Sequence, residues 1–221
     1  MPEELIGFFK KHIDYLTDHS VDADKRRYAI KEEAPRHYID IDVYGENPFE
    51  QVPRKWNEAV VKFSEDTLLA YGIVPWHIET IYNRLVYAFA EKNEEYILKN
   101  ASDLGHYVAD AHVPLHTTLN YNGQLTGQKG IHAFWESRLP ELFSENYDFL
   151  VGSSDYRYSV LDVAWEVLAE SHAALDSVLG FEKLLSNNFE QDHQYAYEKR
   201  GLQTIKVKSA SFSAAYHEKL N

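Results

Sequence analysis

The chain contains no cysteine. That absence excludes disulfides, thiolate metal sites and cysteine nucleophiles together. It leaves the compartment open, because a disulfide-free protein can work inside or outside a cell. Nowhere does an apolar run approach the roughly 18 residues a membrane helix needs, so no transmembrane segment is expected. The opening stretch, MPEELIGFFKKHIDYL, lacks the charged-apolar-small order of a signal peptide. Cations are also short: 22 Lys and Arg stand against 35 Asp and Glu, a formal net charge of −13. Such a balance argues against duplex DNA held by counterion release. It does not exclude a phosphate substrate, because bound divalent cations reverse the local sign. The sequence shows no internal repeat, no low-complexity tract and no convincing alternating strand.

What remains is a chain of 221 residues, 44% apolar and 26% charged, the balance of a globular protein. No linker divides it, so residues 1–221 are expected to form a single all-α, multi-helix domain. The 16 Tyr and 11 Phe predict a large core.

Helical spacing carries most of the length. Residues 2–19 read as an amphipathic helix built on Leu5, Phe8, Phe9, Ile13 and Leu16, with Pro2 in its first turn. Lys55 to Tyr71 reads as one helix, with Gly72 as its stop. Pro75 opens another, and a further helix covers about 94–112. Residues 113–130 form a Gly-bearing loop. His132 to Phe143 is a helix broken locally by Pro140. The long segment Tyr156 to Leu179 is expected to end at Gly180. Residues 181–200 are shorter and polar, and Leu202 to Leu220 closes the chain.

The chemistry concentrates between His106 and Glu136. His106 and Asp110 are four residues apart, as are His132 and Glu136, so each pair can share one helix face. His116 lies six residues past Asp110, and the loop can fold the second pair toward the first. Imidazole nitrogen and carboxylate oxygen are zinc's ligands, and a carboxylate can bridge two ions. Either pair alone is more often an ordinary helix-surface interaction; the five together favour metal. His112, two past Asp110, falls on another face and is left out.

Upstream, VDADKRRYAIKEEAPRHYIDID offers Asp22, Asp24, His37, Asp40 and Asp42. Read alone, these acids pair with Arg26, Arg27 and Arg36 rather than with a metal. His77, beside Trp76, reads as a packed or hydrogen-bonded histidine more readily than as a ligand. His12 and His19 read as boundary or surface histidines. A lone Glu-x-x-His, Glu190 to His193, falls short of the paired motif a four-helix di-iron site needs.

The order HYVADAHVPLH and then HAFWE, preceded by DAD and HYID, resembles the bacterial zinc-dependent phospholipase C proteins. It is also similar to the zinc-dependent single-strand nucleases, which share that fold. The likeness spans at least residues 20–145. It implies that Asp24, His37, His106 and Asp110 hold one zinc, and that His116, His132 and Glu136 hold a second. Asp110 would bridge the first ion to a third. That third site is incomplete here, because the N-terminal Trp and nearby His that complete it in the family have no counterpart.

The resemblance further implies a phosphodiester hydrolase that uses metal-activated water. Asp24 or Asp110 would accept a proton, and Arg27 would contact phosphate. The substrate is then a phospholipid headgroup or a single-stranded nucleic acid. Tyr121 and Trp135 are able to stack a base or line a choline pocket. Export, with the signal segment absent from this chain, is the expected localisation. A non-catalytic, zinc-stabilised relative is the alternative, resting on the incomplete third site. Asp22, Asp40 and His77 match no ligand position of the family.

Overall fold

The computed structural model describes residues 3–150, 152–153 and 155–220. Pro2, expected in the first helical turn, lies outside them. Helices dominate: α1 Glu3–Lys11, α2 Ile13–His19, α3 Asp22–Arg26, α4 Pro48–Gln51, α5 Trp56–Phe63, α6 Glu65–Tyr71, α7 Val74–Ala90, α8 Glu94–Ala111, α9 Ile131–Ala133, α10 Leu139–Phe143, α11 Val160–Asn188 and α12 Ala210–Leu220. Short 3₁₀ turns cover Lys31–Arg36, Ile41–Tyr44 and Pro114–Thr117. Among the described residues, no helix is long and apolar enough to cross a membrane.

The chain forms two compact units. The first takes the chain up to Leu119 and again over Ser153–His172; the second takes Asn120–Gly152 and the chain from Ala173 onward.

The first unit holds the larger core. Trp76 is its centre, meeting Trp56 and Trp165 edge-on at 5.3 Å each. Ile39, Ile41, Leu68 and Tyr107 are buried around it. Edge-on ring pairs add about 0.5–1.5 kcal/mol each beyond the burial of apolar area.

A second feature fixes the segment that carries His37. Ile73 N donates to Pro35 O at 2.7 Å, Asp40 N to Tyr71 O at 2.7 Å, and Val74 N to Tyr38 O at 3.2 Å. The two strands of chain can approach this closely because residue 72 is glycine. A Cβ there would stand 2.2 Å from the Tyr38 carbonyl oxygen, and its φ of +94° is left-handed. Ile39 N also donates to His116 O at 2.9 Å, tying the His37 and His116 segments together.

The second unit packs Phe134 against Phe212 and Tyr216 at 5.8 and 5.0 Å. Among the described residues it carries one sheet, an antiparallel hairpin of β1 Tyr195–Arg200 with β2 Gln203–Lys208. The sequence reading expected no strand and placed 202–220 in a helix; the structure corrects both. The stretch YAYEKR-GL-QTIKVK alternates in burial, and Gly201, at φ +60°, supplies the tight turn.

Several helix boundaries also differ from expectation: the helix expected over 2–19 breaks at His12 into α1 and α2, and the long segment expected from Tyr156 becomes helical only at Val160. The helix expected over Lys55 to Tyr71 breaks at Ser64, whose φ is +69° and whose hydroxyl accepts from Thr67 N as the cap of α6. Gly180 does not stop α11, because burial of Val178 and Glu182 on either side outweighs about 1 kcal/mol of glycine propensity. The helix from His132 widens into a π turn over Phe134–Arg138 just before Pro140. Proline cannot donate four residues back, so Leu139 N reaches Phe134 O instead.

Candidate metal centre

Four side chains of the first unit converge. Asp24 comes from α3, His37 caps the 3₁₀ turn Lys31–Arg36, and His106 and Asp110 lie one turn apart on α8. His37 Nδ1 is 2.8 Å from Asp110 Oδ2, and His106 Nε2 is 3.2 Å from His37 Nδ1. His106 Nε2 stands 3.3 Å from Asp110 Oδ2. Asp24 Oδ1 is 3.8 Å from each imidazole nitrogen.

These spacings fit a small divalent cation. A tetrahedral zinc with ligand bonds of about 2.0–2.1 Å places neighbouring donors about 3.3–3.4 Å apart. The five observed edges straddle that value. Asp24, His37 and His106 form a group able to hold a metal ion. Two carboxylates and two neutral imidazoles would offset a +2 charge.

The protons fit as well. His106 Nδ1–H donates to the Ser20 carbonyl at 2.9 Å, which leaves the Nε2 lone pair facing the other donors. His37 is 1% exposed. Its Nε2 is buried without a hydrogen-bond partner among the described residues, 3.8 Å from Glu33 Oε1. With the proton on Nε2, Nδ1 is a ligand; with the proton on Nδ1, it donates to Asp110.

Asp110 is the hub of this cluster. Its Oδ2 serves His37 and His106, while its Oδ1 lies 3.4 Å from His116 Nδ1. Arg27, half exposed, sits with Nη1 3.6 Å from Asp24 Oδ1.

The remaining predicted ligands belong to the second unit. His132 and Glu136 face each other at 3.2 Å, and His132 Nδ1–H donates to the Tyr121 carbonyl at 3.3 Å. This is the same device as at His106: the backbone takes one ring nitrogen and the other faces a carboxylate. Glu136 lies within the π turn. The expected set of His116, His132 and Glu136 is thus divided between the units, with His116 in the first and His132 and Glu136 in the second.

Other candidates have ordinary roles. His112 Nδ1–H donates to Val108 O, within its own helix. Asp22 binds His19 and Lys25, His12 pairs with Glu94, and His193 pairs with Glu190.

The sequence reading missed a buried network behind the histidines. Glu33 is 0% exposed. It accepts hydrogen bonds from Tyr107 Oη, from Arg26 and from Arg36. Arg26 also holds Asp103 at 3.0 Å. Burial alone would raise the Glu33 carboxyl, but Tyr107 and the two guanidiniums outweigh it and hold the group below the ordinary glutamate range. Glu33 precedes His37 by four residues, the same spacing as His106 and Asp110, and that was the available signal. His77, 7% exposed, meets Tyr107 edge-on at 4.5 Å, as a packed histidine should.

No family model, curated protein or solved structure matches the chain.

Proposed function

We propose that the chain is a zinc-dependent phosphodiester hydrolase, most like the phospholipase C and single-strand nuclease group that its motifs resemble. The observation that carries this reading is the convergence of Asp24, His37, His106 and Asp110, with His106 oriented through Ser20. Zinc bound there would supply Lewis acidity toward water and a phosphoryl oxygen.

The side chains supply the rest. Asp24 is half exposed, so solvent reaches its carboxylate, and it takes the proton of the attacking water. Asp110 is deeper and holds His37 and His106 in line. Arg27, half exposed beside Asp24, meets the phosphate of the substrate. Within the second unit, His132 beside Glu136 offers a further imidazole–carboxylate pair of the type that binds zinc.

The test is hydrolysis of bis(4-nitrophenyl) phosphate with and without chelator, on protein whose zinc content is measured by elemental analysis. Activity that chelation abolishes and zinc restores supports the reading. Equal rates with and without chelator remove the zinc mechanism. Parallel assays on a phosphatidylcholine and on a single-stranded oligonucleotide separate the two substrate classes. Zinc binding with no turnover on any of these leaves a zinc-stabilised binding protein.

A further inference from the structure

The first unit contains a cavity of about 970 Å³ that none of the proposed metal ligands lines. It runs along the groove between α7 and α8 and is closed on one side by Arg26, Ile30, Glu33 and Arg36. Tyr107 stands between it and the metal centre: its ring meets His37 at 5.2 Å on one side and His77 at 4.5 Å on the other.

The helical register orders its contents. Residues 91–93 join α7 to α8, so the two helices run antiparallel. His77 meets Tyr107, each equally far from the turn. Two turns closer to it, Arg84 comes level with Lys99 and Asn100 across the groove. One turn closer again, Tyr87 and Ala88 come level with Tyr96. The cavity therefore has a buried polar end, a pair of cations in the middle and an aromatic mouth.

Its charges are unequally matched. Arg26 and Arg36 are answered by Asp103 and Glu33. Arg84 and Lys99 have no ion pair among the described residues and line the same space. Of the acids among the described residues that line the cavity, Glu91 alone is left to offset them. A cavity with surplus positive charge in a chain of net charge −13 is a local inversion of sign.

Two further observations point to a ligand. His77 Nε2 is buried without a hydrogen-bond partner among the described residues, and its side chain lines the cavity wall. A buried polar atom left unmatched costs about 1–3 kcal/mol, a cost that a bound partner would relieve. At the mouth, Tyr87 and Tyr96 are 67% and 55% exposed, with the small, buried Ala88 as floor between them. The volume lies within the range of small-molecule sites, about 300–1,000 Å³.

We propose that this cavity binds a small aromatic anion, its charged group between Arg84 and Lys99 and its ring against Tyr87 and Tyr96. The site is independent of metal and of the hydrolytic reading. A carboxylate, sulfonate or phosphate would satisfy the cation pair, and the deep end would accept a polar substituent at His77.

The probe is 8-anilinonaphthalene-1-sulfonate, with the uncharged N-phenyl-1-naphthylamine as control, both titrated by fluorescence in excess chelator. We expect saturable binding of one sulfonate dye per chain, about tenfold tighter than the uncharged dye. The double variant Arg84→Ala, Lys99→Ala should weaken the sulfonate about tenfold and leave the uncharged dye unchanged. Both residues are exposed, so the fold should tolerate their loss. Ala88→Trp, which fills the floor, should weaken both dyes, with circular dichroism confirming that the variant is folded. Equal affinity for the two dyes would overturn the assignment. So would binding indifferent to the charge variant, or no saturable binding.

Discussion

The Nε2 atom of His106 lies 3.2 Å from the Nδ1 atom of His37, and the other ring nitrogen of His106 is bound to the Ser20 carbonyl. A bare lone pair therefore faces a second imidazole nitrogen, with the Asp110 carboxylate beside both. Two imidazoles meeting nitrogen to nitrogen between acids are positioned for a shared cation. We expect His37→Ala and His106→Ala each to lower the zinc bound per chain. Chelator should lower the melting temperature of the parent and leave that of either variant nearly unmoved, because metal that binds only the folded chain adds to its stability. Zinc content unchanged in both variants would rule out this centre.

The position of His37 depends on the glycine at 72. Substitution by Ala would place a Cβ against the Tyr38 carbonyl and impose a left-handed φ on a residue that resists it. We expect Gly72→Ala to cost at least about 2 kcal/mol of stability. Because Tyr38 adjoins His37, zinc affinity should fall as well, although residue 72 touches no metal donor. A thermal melt and a zinc titration read the two effects separately. A variant with parent-like stability would show that the close approach can relax.

How much of this the sequence made legible follows from where the constraints lie. His106 and Asp110 were readable because one helix sets their separation, and α8 runs through both. Asp24 and His37 were not readable from their own surroundings, where three arginines offered simpler partners. Only the order of motifs along the chain promoted them, and the pairing of segment 35–40 with residues 71–74 is what brings His37 to α8. Glu33 was passed over because its partners Arg26 and Tyr107 lie 7 and 74 residues away in sequence. The hairpin was missed because its charged outward residues mask a short alternation, and two strands barely rise above a polar tract. The break at Ser64 and the π turn before Pro140 follow from single-residue backbone effects, which periodicity averages away.

Two buried groups should give the stability curve opposing slopes. Burial, aided by the Arg36 and Arg84 guanidiniums and opposed by Glu33, lowers His77 to about 3. Between that value and about 6.5, the unfolded chain holds a proton that the folded chain refuses. Stability from this group is therefore complete above about pH 6.5 and is lost as the pH falls. Burial, with the neighbouring Asp42 charge, raises Asp40 to about 6. Between about 3.9 and that value, the folded chain keeps a proton that the unfolded chain has released, so stability falls as the pH rises. Between pH 4 and 6 the rise from His77 slightly exceeds the fall from Asp40, so we expect His77→Phe to turn the curve downward with rising pH and Asp40→Asn to steepen its rise. Urea midpoints measured across that range check both signs; parallel curves for all three proteins would refute the assignment.

In the second unit, Glu182 is 3% exposed and takes Lys208 Nζ at 2.9 Å, together with Ser186 Oγ and Gln128 Nε2. Burial opposes ionisation of this carboxyl, but those three donors hold it below the ordinary glutamate range. The folded form therefore binds its proton later than the unfolded form. Its contribution is complete above the unfolded value and is lost as the pH falls through the folded one. Removing one partner should cost more than the pair is worth, because the other charge stays buried. Lys208→Met should destabilise by about 3–5 kcal/mol. Glu182→Gln should do less damage, since its amide can still accept from Ser186 while Lys208 turns toward the rings of Tyr195 and Phe212, 4.8 and 4.1 Å away. The double variant Glu182→Gln, Lys208→Met should recover part of the Lys208→Met loss, as measured in a double-mutant cycle of denaturation free energies. Strict additivity would mean that the two charges act independently, and that the hairpin is held to α11 by its apolar contacts alone.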